Sequence, residues 1–352
     1  MKFLRERVGD YDVNHFVDEL VEAATLLGKL DAKMAGCKFG GVLLPMLYRR
    51  ESVASLSIEG TQTTVTEMLE EEIKDTPSDA REFREYANYW AALRKGGARL
   101  QIEAFSNDFV EDLQKTMLDG LSSVDKDAIG RYKEHRNYIV NFAKKVVYEP
   151  PSPQETRKFM TELVDYMNDG TDGVNPLIKA AVAHAQFESI HPFEDGNGRV
   201  GRALTGLYMY KTGLVRLPYF HLSEAISEDK LTYYAALTSS RGDSLDSWIS
   251  FFLKKTAAQA HKQIRYVDSM ERLYEKTKAS VREVVNSPKY EAVIEALFSC
   301  PYLTSAVLSK RLGVTVGQAH RYLSALEKQR ILLGTDMKRN RRYLFAAMLD
   351  LL

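Results

Sequence analysis

The sequence lacks any excess of one charge and any long apolar run. Lys and Arg together number 48 and Asp and Glu also number 48, so the chain has no formal net charge. No overall electric field therefore draws it to nucleic acid or to a membrane surface. No window approaches the roughly 18 uninterrupted apolar residues of a membrane-spanning helix. We predict no membrane partner, and any preference for nucleic acid must come from a local patch.

Cysteine is also scarce. Cys37 and Cys300 are the 2 cysteines of the 352-residue chain. They lie far apart and show no metal-ligand spacing, so we predict free thiols. Residues 1–7 lack the apolar core of a signal peptide, which indicates a cytoplasmic protein. The length suits two or three domains, and 45% hydrophobic residues suit a globular core.

Most of the first two thirds of the chain has the apolar spacing of helices. Val17, Leu20 and Leu27, for example, recur at helical intervals. The convincing strand pair lies at residues 138–140 and 146–148, where β-branched and aromatic residues flank a polar loop. The sequence therefore predicts a mainly α fold with one small β-hairpin.

One short segment concentrates groups suited to phosphate chemistry. Residues 191–202 form a loop between two predicted helices and read His-Pro-Phe-Glu-Asp-Gly-Asn-Gly-Arg-Val-Gly-Arg. The start of a helix leaves backbone N–H groups unpaired, which favours an anion. Gly196 and Gly198 let the backbone approach a phosphate closely. Arg199 and Arg202 are three residues apart, so both guanidinium groups can face one ligand.

The same segment carries an acid and a base. Asp195 stands at the mouth of the loop, where a carboxylate can hold a magnesium ion that bridges two phosphates. The imidazole of His191 has an ordinary pKa close to neutral pH, so it can take a proton from a hydroxyl that attacks phosphorus. A lone histidine or a lone Gly-x-Gly is usually structural. Their combination over consecutive positions predicts a site that binds and transfers phosphate groups.

Residues 191–202 resemble the motif of the Fic family, His-Pro-Phe-x-Asp/Glu-Gly-Asn-Gly-Arg-x-x-Arg, without a departure. The resemblance extends across residues 40–255. It implies a helical Fic core with a hairpin, called the flap, over residues 137–148. It also implies the transfer of AMP from ATP, with Mg²⁺, to a Tyr, Thr or Ser hydroxyl of a target protein. The target segment would pair with the edge of the flap.

The resemblance also implies roles for individual residues. His191 is the general base and Asp195 the magnesium ligand. Asn197 and the backbone of Gly198 hold the α-phosphate region. The nucleotide-binding set that it implies is Glu59, His191, Gly196, Asn197, Gly198, Arg199, Val200, Gly201, Arg202, Tyr233 and Tyr234, in which both arginines hold the β- and γ-phosphates and both tyrosines belong to a helix on the nucleotide side.

A second segment resembles the inhibitory motif of the family. Residues 55–60 read Ser-Leu-Ser-Ile-Glu-Gly and match Ser/Thr-x-x-x-Glu-Gly/Asn. A helix that ends at Gly60 would present Glu59 to its neighbours, and Glu59 could then pair with Arg202 and withdraw it from the γ-phosphate. We predict that Ser55, Glu59 and Gly60 restrain the enzyme. The alternative is an ordinary solvated carboxylate at the end of a helix.

The last part of the chain, residues 287–352, has a different character. Predicted helices at 290–298, 305–312 and 316–329 precede a wing at 334–340 and a returning strand at 341–345. This pattern resembles a winged-helix domain. Basic residues outnumber acidic ones, which favours DNA, but Gln318, His320 and Arg321 are a thin set for reading bases. DNA binding and protein docking both stay open.

The sequence thus divides into four regions. Residues 1–100 form an N-terminal helical region with the inhibitory motif, residues 101–255 the core, residues 256–286 a helical linker, and residues 287–352 the winged-helix-like domain. Three functions fit: a protein adenylyltransferase restrained by Glu59, an enzyme that removes AMP at the same site, and a nucleotide-sensing regulator that binds DNA. A homodimer is compatible with each of them.

Overall fold

The protein is mainly helical, as predicted. The computed structural model describes residues 4–7, 9–74, 80–122, 125–140, 143, 145–335 and 341–352. Within these residues, no helix is long and apolar enough to cross a membrane. The helices are α1 Leu4–Arg7, α2 Val17–Ala35, α3 Gly40–Ile58, α4 Val65–Glu72, α5 Arg81–Arg99, α6 Asn107–Leu118, α7 Pro153–Asn168, α8 Pro176–Ile190, α9 Asn197–Lys211, α10 Ser223–Ser227, α11 Lys230–Ser239, α12 Asp246–Val285, α13 Tyr290–Ser299, α14 Ser305–Leu312, α15 Val316–Lys328 and α16 Ala346–Leu349.

The strands are short and form two antiparallel sheets. β1 and β2 make a two-stranded hairpin, and the other three make a sheet in the order β3-β5-β4. Their bounds are β1 Ile139–Val140, β2 Val146–Tyr148, β3 Tyr302–Thr304, β4 Leu333–Gly334 and β5 Arg342–Leu344.

Helix α8 is the centre of the core. Asn175 caps it by accepting a hydrogen bond from the N–H of Leu177 (2.9 Å), and Pro176 occupies its first turn, where a missing N–H costs nothing. Every residue from Leu177 to Ile190 is buried. The helix packs against α7, α9 and α12. Because it is enclosed on all sides, α8 fixes the position of the loop that follows it.

Helix α12 contacts both the N-terminal and core helices and the C-terminal helices. It packs against α2 and α8 and also contacts α13, α15 and α16. The indole N–H of Trp248 donates to the carbonyl of Ala181 on α8 (2.7 Å). Residues 256–285 of the predicted linker lie within this helix, and Ala260, Val267 and Met270 are buried. The segment therefore takes part in the packing of the core.

The C-terminal residues form a small module that packs on α3. It contains α13 to α16 and the three-stranded sheet, in which Tyr343 pairs with both Leu303 and Gly334. The predicted helices are present, whereas β3 was not foreseen. Of the predicted wing at 334–340, residues 336–340 lie outside the described residues. Helix α13 contacts α3, so the module lies against the helix that carries residues 55–58 of the predicted inhibitory motif.

Candidate active site

The loop before α9 leads into an exposed helix start. Gly196 adopts a left-handed conformation (φ 86°) that favours glycine, and α9 begins at the next residue. The first N–H with an intrahelical partner is that of Val200, which donates to the carbonyl of Gly196 (2.9 Å). The preceding N–H groups of α9 have no intrahelical acceptor. The loop therefore offers an anion the positive end of a helix, as the sequence predicted.

The side chain of Asn197 braces this loop. Its Oδ1 accepts from the N–H of Phe193 (2.8 Å) and its Nδ2 donates to the carbonyl of Phe193 (2.7 Å). Phe193 itself is fully buried, which anchors the loop in the core. Two bonds to Phe193 therefore hold the Asn197 side chain in the loop. The contact with the α-phosphate region that the resemblance implies for Asn197 stays a prediction.

His191 is held in an unusual backbone conformation. It ends α8 with φ 48°, a left-handed conformation that costs a residue with a Cβ atom roughly 1–3 kcal/mol. Two side chains hold its carbonyl: Asn137 Nδ2 at 2.9 Å and Lys133 Nζ at 3.1 Å. Asn137 also donates to the carbonyl of Phe193 (3.0 Å). These bonds fix the direction in which the imidazole points.

The imidazole of His191 is neutral at physiological pH. Burial, followed by the positive charge of Lys133, lowers the pKa of His191 to about 4. Burial also lowers the pKa of Lys133 to about 8. Nδ1 of His191 is buried and has no hydrogen-bond partner among the described residues. The ring is therefore unprotonated over the neutral range, which is the form that a general base needs.

Arg202 is paired with the predicted inhibitory residues. Its Nη2 lies 2.7 Å from Glu59 Oε1, and it donates to Ser55 through Nε to Oγ (2.9 Å) and through Nη2 to the carbonyl (3.1 Å). Gly60 has φ 104°, so the chain can turn directly after Glu59. Burial alone would raise the pKa of Glu59, but Arg202 outweighs it and the pKa is lowered. The structure thus brings Ser55 and Glu59 to Arg202.

Arg199 is also bound to carboxylates. Its Nη2 donates to Asp195 Oδ1 (3.0 Å), and its Nη1 lies 3.5 Å from Glu85 Oε1. Asp195 accepts a further bond from the N–H of Gly196 (2.6 Å), and 44% of its side chain is exposed. Carboxylates therefore neutralise both arginines of the motif.

The donor groups around Asp195 fit a magnesium ion that binds together with a nucleotide. Mg²⁺ usually takes one or two carboxylates, substrate phosphates and several waters rather than a set of protein ligands alone. Asp195 is an accessible carboxylate beside a helix start that suits phosphate. Among the described residues, no group of three or more His, Cys, Asp and Glu could hold a metal ion. The chemistry therefore suits a metal that arrives with its substrate.

Two cavities meet at the centre of the site. The larger, about 590 Å³, lies between the hairpin and α11, and the smaller, about 310 Å³, lies beside Asp195 and Arg199. Glu59, His191 and Gly198 line both. A Cβ atom at Gly198 would lie 2.5 Å from Glu59 Oε1 and would collide with it. Glu59 and Gly198 thus form the boundary between the two cavities.

The remaining predicted nucleotide-binding residues divide into two pairs. Tyr233 and Tyr234 line the larger cavity; Tyr233 is buried, and its hydroxyl lies 2.9 Å from His184 Nε2. Val200 and Gly201 face the core instead. Val200 is fully buried, and a Cβ at Gly201 would lie 2.9 Å from the ring of Phe187. The structure does not bring these two residues to a cavity wall.

Sequence reasoning missed two charged residues at this site, Glu188 and Lys133. Glu188 lines the larger cavity, and Lys133 holds the carbonyl of His191. Burial raises the pKa of Glu188 to about 7, although Arg202 partly opposes this. A carboxylate within an otherwise buried helix was a signal for Glu188. Lys133 had no such signal, because it lies 58 residues before His191 in the chain.

A buried network holds α3 just before the predicted inhibitory motif. Tyr89 Oη donates to Glu51 Oε1 (3.0 Å), and the hydroxyl of Ser223 donates to the same oxygen. Burial raises the pKa of Glu51 to about 7. Glu51, Ser55 and Glu59 follow one another at intervals of four residues, so they share one face of the helix. This spacing was the available sequence signal for the network.

Comparisons with known proteins match two regions of the chain to one family. The profile of the Fic/DOC family matches residues 104–209, and that of the Fic/DOC family N-terminal region matches residues 17–98. The protein adenylyltransferase fic-1 of Caenorhabditis elegans is 27% identical over 222 residues, which are 61% of this chain and 40% of that protein. A probable protein adenylyltransferase of Aquifex aeolicus is 25% identical over 185 residues, which are 52% of this chain and 54% of that protein.

A solved structure resembles almost the whole chain. The crystal structure of a Fic family protein from Desulfovibrio desulfuricans G20 superposes with a TM-score of 0.61 and 21% identity, covering 94% of this chain and 95% of that one. At this identity the likeness shows the fold alone. The chain spans about half or less of the length of the curated relatives named above.

Proposed function

Because this chain carries a Fic/DOC domain preceded by the N-terminal region of that family, we propose that it is a protein adenylyltransferase. It transfers AMP from ATP to the hydroxyl group of a Tyr, Thr or Ser residue on a target protein. One observation carries this proposal. The neutral imidazole of His191 lines the same two cavities as Gly198, at the start of α9, and Arg202 lines the larger of them.

The residues of the site have separate roles in this reaction. His191 takes the proton of the target hydroxyl while the hydroxyl oxygen attacks the α-phosphorus. A new O–P bond forms, the bond from the α-phosphorus to the oxygen that bridges it to the β-phosphorus breaks, and pyrophosphate leaves. Main-chain N–H groups at the start of α9, including that of Gly198, bind phosphate oxygens. Arg199 and Arg202 neutralise the leaving group once their carboxylate partners release them. A magnesium ion held by Asp195 would supply further positive charge there.

We propose that Glu59 restrains this reaction. A triphosphate that extends from the larger cavity into the smaller one must pass the boundary that Glu59 forms with Gly198. The carboxylate repels phosphate there, and it also engages Arg202 at 2.7 Å. A nucleotide bound beside it would be displaced from the position for attack, and such displacements are costly. Ser55 and Gly60 serve this restraint by orienting Arg202 and by turning the chain.

The flap is the proposed docking site for targets. β1 and β2 pair with each other in a sheet of two strands, so outer edges remain for a further strand. Val140, Val146 and Val147 are 51%, 51% and 45% exposed. Pairing through the backbone asks little of the target sequence and would bring a hydroxyl side chain close to His191.

DNA binding through the C-terminal module is a second candidate function. Along α15, His320, Arg321 and Lys328 are exposed, and no acidic residue of that helix is. Such a surface suits a phosphate backbone. Under this alternative the core senses nucleotide and the module binds DNA as a winged helix. Docking of this module on proteins, including a second copy of the chain, is the competing role.

One experiment separates these functions. Wild type, Glu59→Gly and His191→Ala are incubated with Mg²⁺ and with ATP labelled at the α-phosphate, which is the phosphate that stays on the target. We expect more label on Glu59→Gly protein than on wild type and only background on His191→Ala protein. Equal label on His191→Ala and wild type would rule out His191 as the base.

The same variants test the alternatives. Removal of AMP from labelled protein by wild type, lost in both variants, would favour the reverse reaction, in which Glu59 positions a water molecule. Salt-sensitive DNA binding that persists in His191→Ala protein, with no label on any variant, would favour the regulator. Unlabelled protein that also fails to bind DNA would contradict both of the leading candidates.

A further inference from the structure

A half-buried arginine at the larger cavity has a buried N–H without an acceptor. Arg241 follows α11 and lines this cavity, and its Nε is buried without a hydrogen-bond partner. Among the described residues, no side-chain hydrogen bond or ion pair of Arg241 is found, while its Cζ lies over the ring of Tyr148, 4.2 Å from the ring centroid. Burial lowers the pKa of Arg241. The ring of Tyr148 therefore covers one face of this guanidinium, and none of the described residues accepts a hydrogen bond from its N–H groups.

The contrast with the other arginines of the site is informative. Arg199 and Arg202 each pair with a carboxylate at 3.0 Å or less. A buried donor without an acceptor is costly, and a charged one more so. Glu188 lines the same cavity, but no nitrogen of Arg241 lies within 4.0 Å of its carboxylate oxygens. The arrangement of Arg241 therefore fits a group whose acceptor is supplied by a ligand.

The position of Arg241 indicates which part of the ligand it meets. The start of α9 and Arg202 define the phosphate end of the cavity. The flap and α11 supply apolar walls to the same cavity, with Val140, Val147 and Leu237 among them, and Arg241 lies against Tyr148 of the flap. A cavity of about 590 Å³ is within the usual range for small ligands. A flat, apolar group with acceptors on its rim suits this part, and the nucleobase is that group.

Arginine is selective among base edges. Its planar fork matches two neighbouring acceptors, as O6 and N7 of guanine provide, whereas adenine places an N6 donor beside N7. Resting on the nucleotide site proposed above, we propose that Arg241 is a specificity-determining residue that contacts the edge of the base, and that it allows the site to accept GTP in addition to ATP. Asparagine, by contrast, matches N6 and N7 of adenine.

Binding measurements test this with Arg202 released from its partner. In Glu59→Gly protein, the dissociation constants of ATP and GTP with Mg²⁺ are measured by calorimetry, alone and combined with Arg241→Asn or Arg241→Lys. We expect Asn to lower the affinity for GTP relative to ATP by about tenfold or more, the usual size of one bidentate base contact. Lysine keeps the charge but loses the fork, so it should lower the ratio as well.

A matched control removes an arginine elsewhere. Arg216, whose side chain is 71% exposed and lies outside both cavities, is replaced by Asn in the same background and should leave both affinities unchanged. Thermal unfolding of each variant checks folding. Equal losses of ATP and GTP binding in both Arg241 variants would overturn the inference, because Arg241 would then bind phosphate or ribose.

An unchanged ratio of the two affinities would overturn it as well. Failure of folded Glu59→Gly protein to bind either nucleotide would instead overturn the proposed function, and the inference with it. The two failures are therefore distinguishable in one set of measurements.

Discussion

Removal of the Glu59 carboxylate should destabilise the free protein and strengthen its response to ATP. Arg202 is 3% exposed and keeps only Ser55 as a hydrogen-bond partner among the described residues once Glu59 is gone. Breaking a fully buried ion pair costs about 3–5 kcal/mol, and an exposed one about 0–1 kcal/mol. Because 42% of the Glu59 side chain is accessible from the cavity, we expect Glu59→Gly to lose about 1–3 kcal/mol of unfolding free energy.

A bound triphosphate should offset much of this loss. Its γ-phosphate would replace the carboxylate as the partner of Arg202, and a charge-assisted hydrogen bond contributes about 1.5–3 kcal/mol. If ATP binds Glu59→Gly protein about tenfold more tightly than wild type, saturating ATP adds about 1.4 kcal/mol more stabilisation to the variant. The difference in unfolding free energy between wild type and Glu59→Gly protein should therefore become smaller or change sign when Mg²⁺ and ATP are added.

Urea unfolding of wild type, Glu59→Gly and Glu59→Gln, with and without Mg²⁺ and ATP, measures both effects. Gln keeps an oxygen that can accept from Arg202 but carries no charge, so its loss and its gain should both be smaller than those of Gly. Equal unfolding free energies for the three free proteins would show that the pair stabilises nothing. An ATP-dependent gain no larger in Glu59→Gly than in wild type would contradict the idea that Glu59 competes with phosphate for Arg202.

Two further predictions concern buried groups at the site. Lys133→Met removes a charge that helps to lower the pKa of His191, so the acid limb of the pH–activity profile should move from about pH 4 towards pH 6.5. If activity falls and the acid limb does not move, Lys133 only holds the backbone of His191. Glu188 has a raised pKa of about 7 against an ordinary 4.5, so its favourable contribution is present below pH 4.5 and lost as the pH rises through 7. That difference in pKa corresponds to about 3 kcal/mol. Between about pH 5 and pH 8, the unfolding free energy of Glu188→Gln in urea should therefore rise by up to this amount relative to that of wild type. If the two proteins differ by the same free energy at both pH values, Glu188 does not carry a buried proton.

The parts of the site that lie close together in sequence were predictable. Residues 191–202 place a base, a helix start, an acid and two arginines within one loop and the first turns of one helix, so their proximity follows from helix geometry. The hairpin and the C-terminal helices were visible for a similar reason, since their signals are periodic apolar residues bounded by polar turns. Short-range order of this kind needs no knowledge of the tertiary fold.

The contacts between distant segments were not predictable. Lys133 and Asn137 reach the carbonyl of His191 through the folded path of the chain, and a lysine before a hairpin carries no mark of such a role. Arg241 lies against Tyr148 of the flap, from the other side of the catalytic motif in sequence. The engagement of Asn197 with Phe193 was hidden too, because an amide in a phosphate-binding motif fits ligand and loop equally well.

The position of Glu59 depends on how firmly α3 is held, and the contacts of this helix bear on the first prediction. Upstream of Glu59, Arg50 donates to Glu224 and to the carbonyl of Leu351 (3.1 Å) and lies over the ring of Tyr266. One residue later, Glu51 accepts bonds from α5 and α10. These contacts are independent of the carboxylate of Glu59, so a substitution at this end of α3 should leave the helix in place. The expected loss of stability in Glu59→Gly protein is then a property of the pair with Arg202, because Ser55 stays in position and keeps its two hydrogen bonds to Arg202.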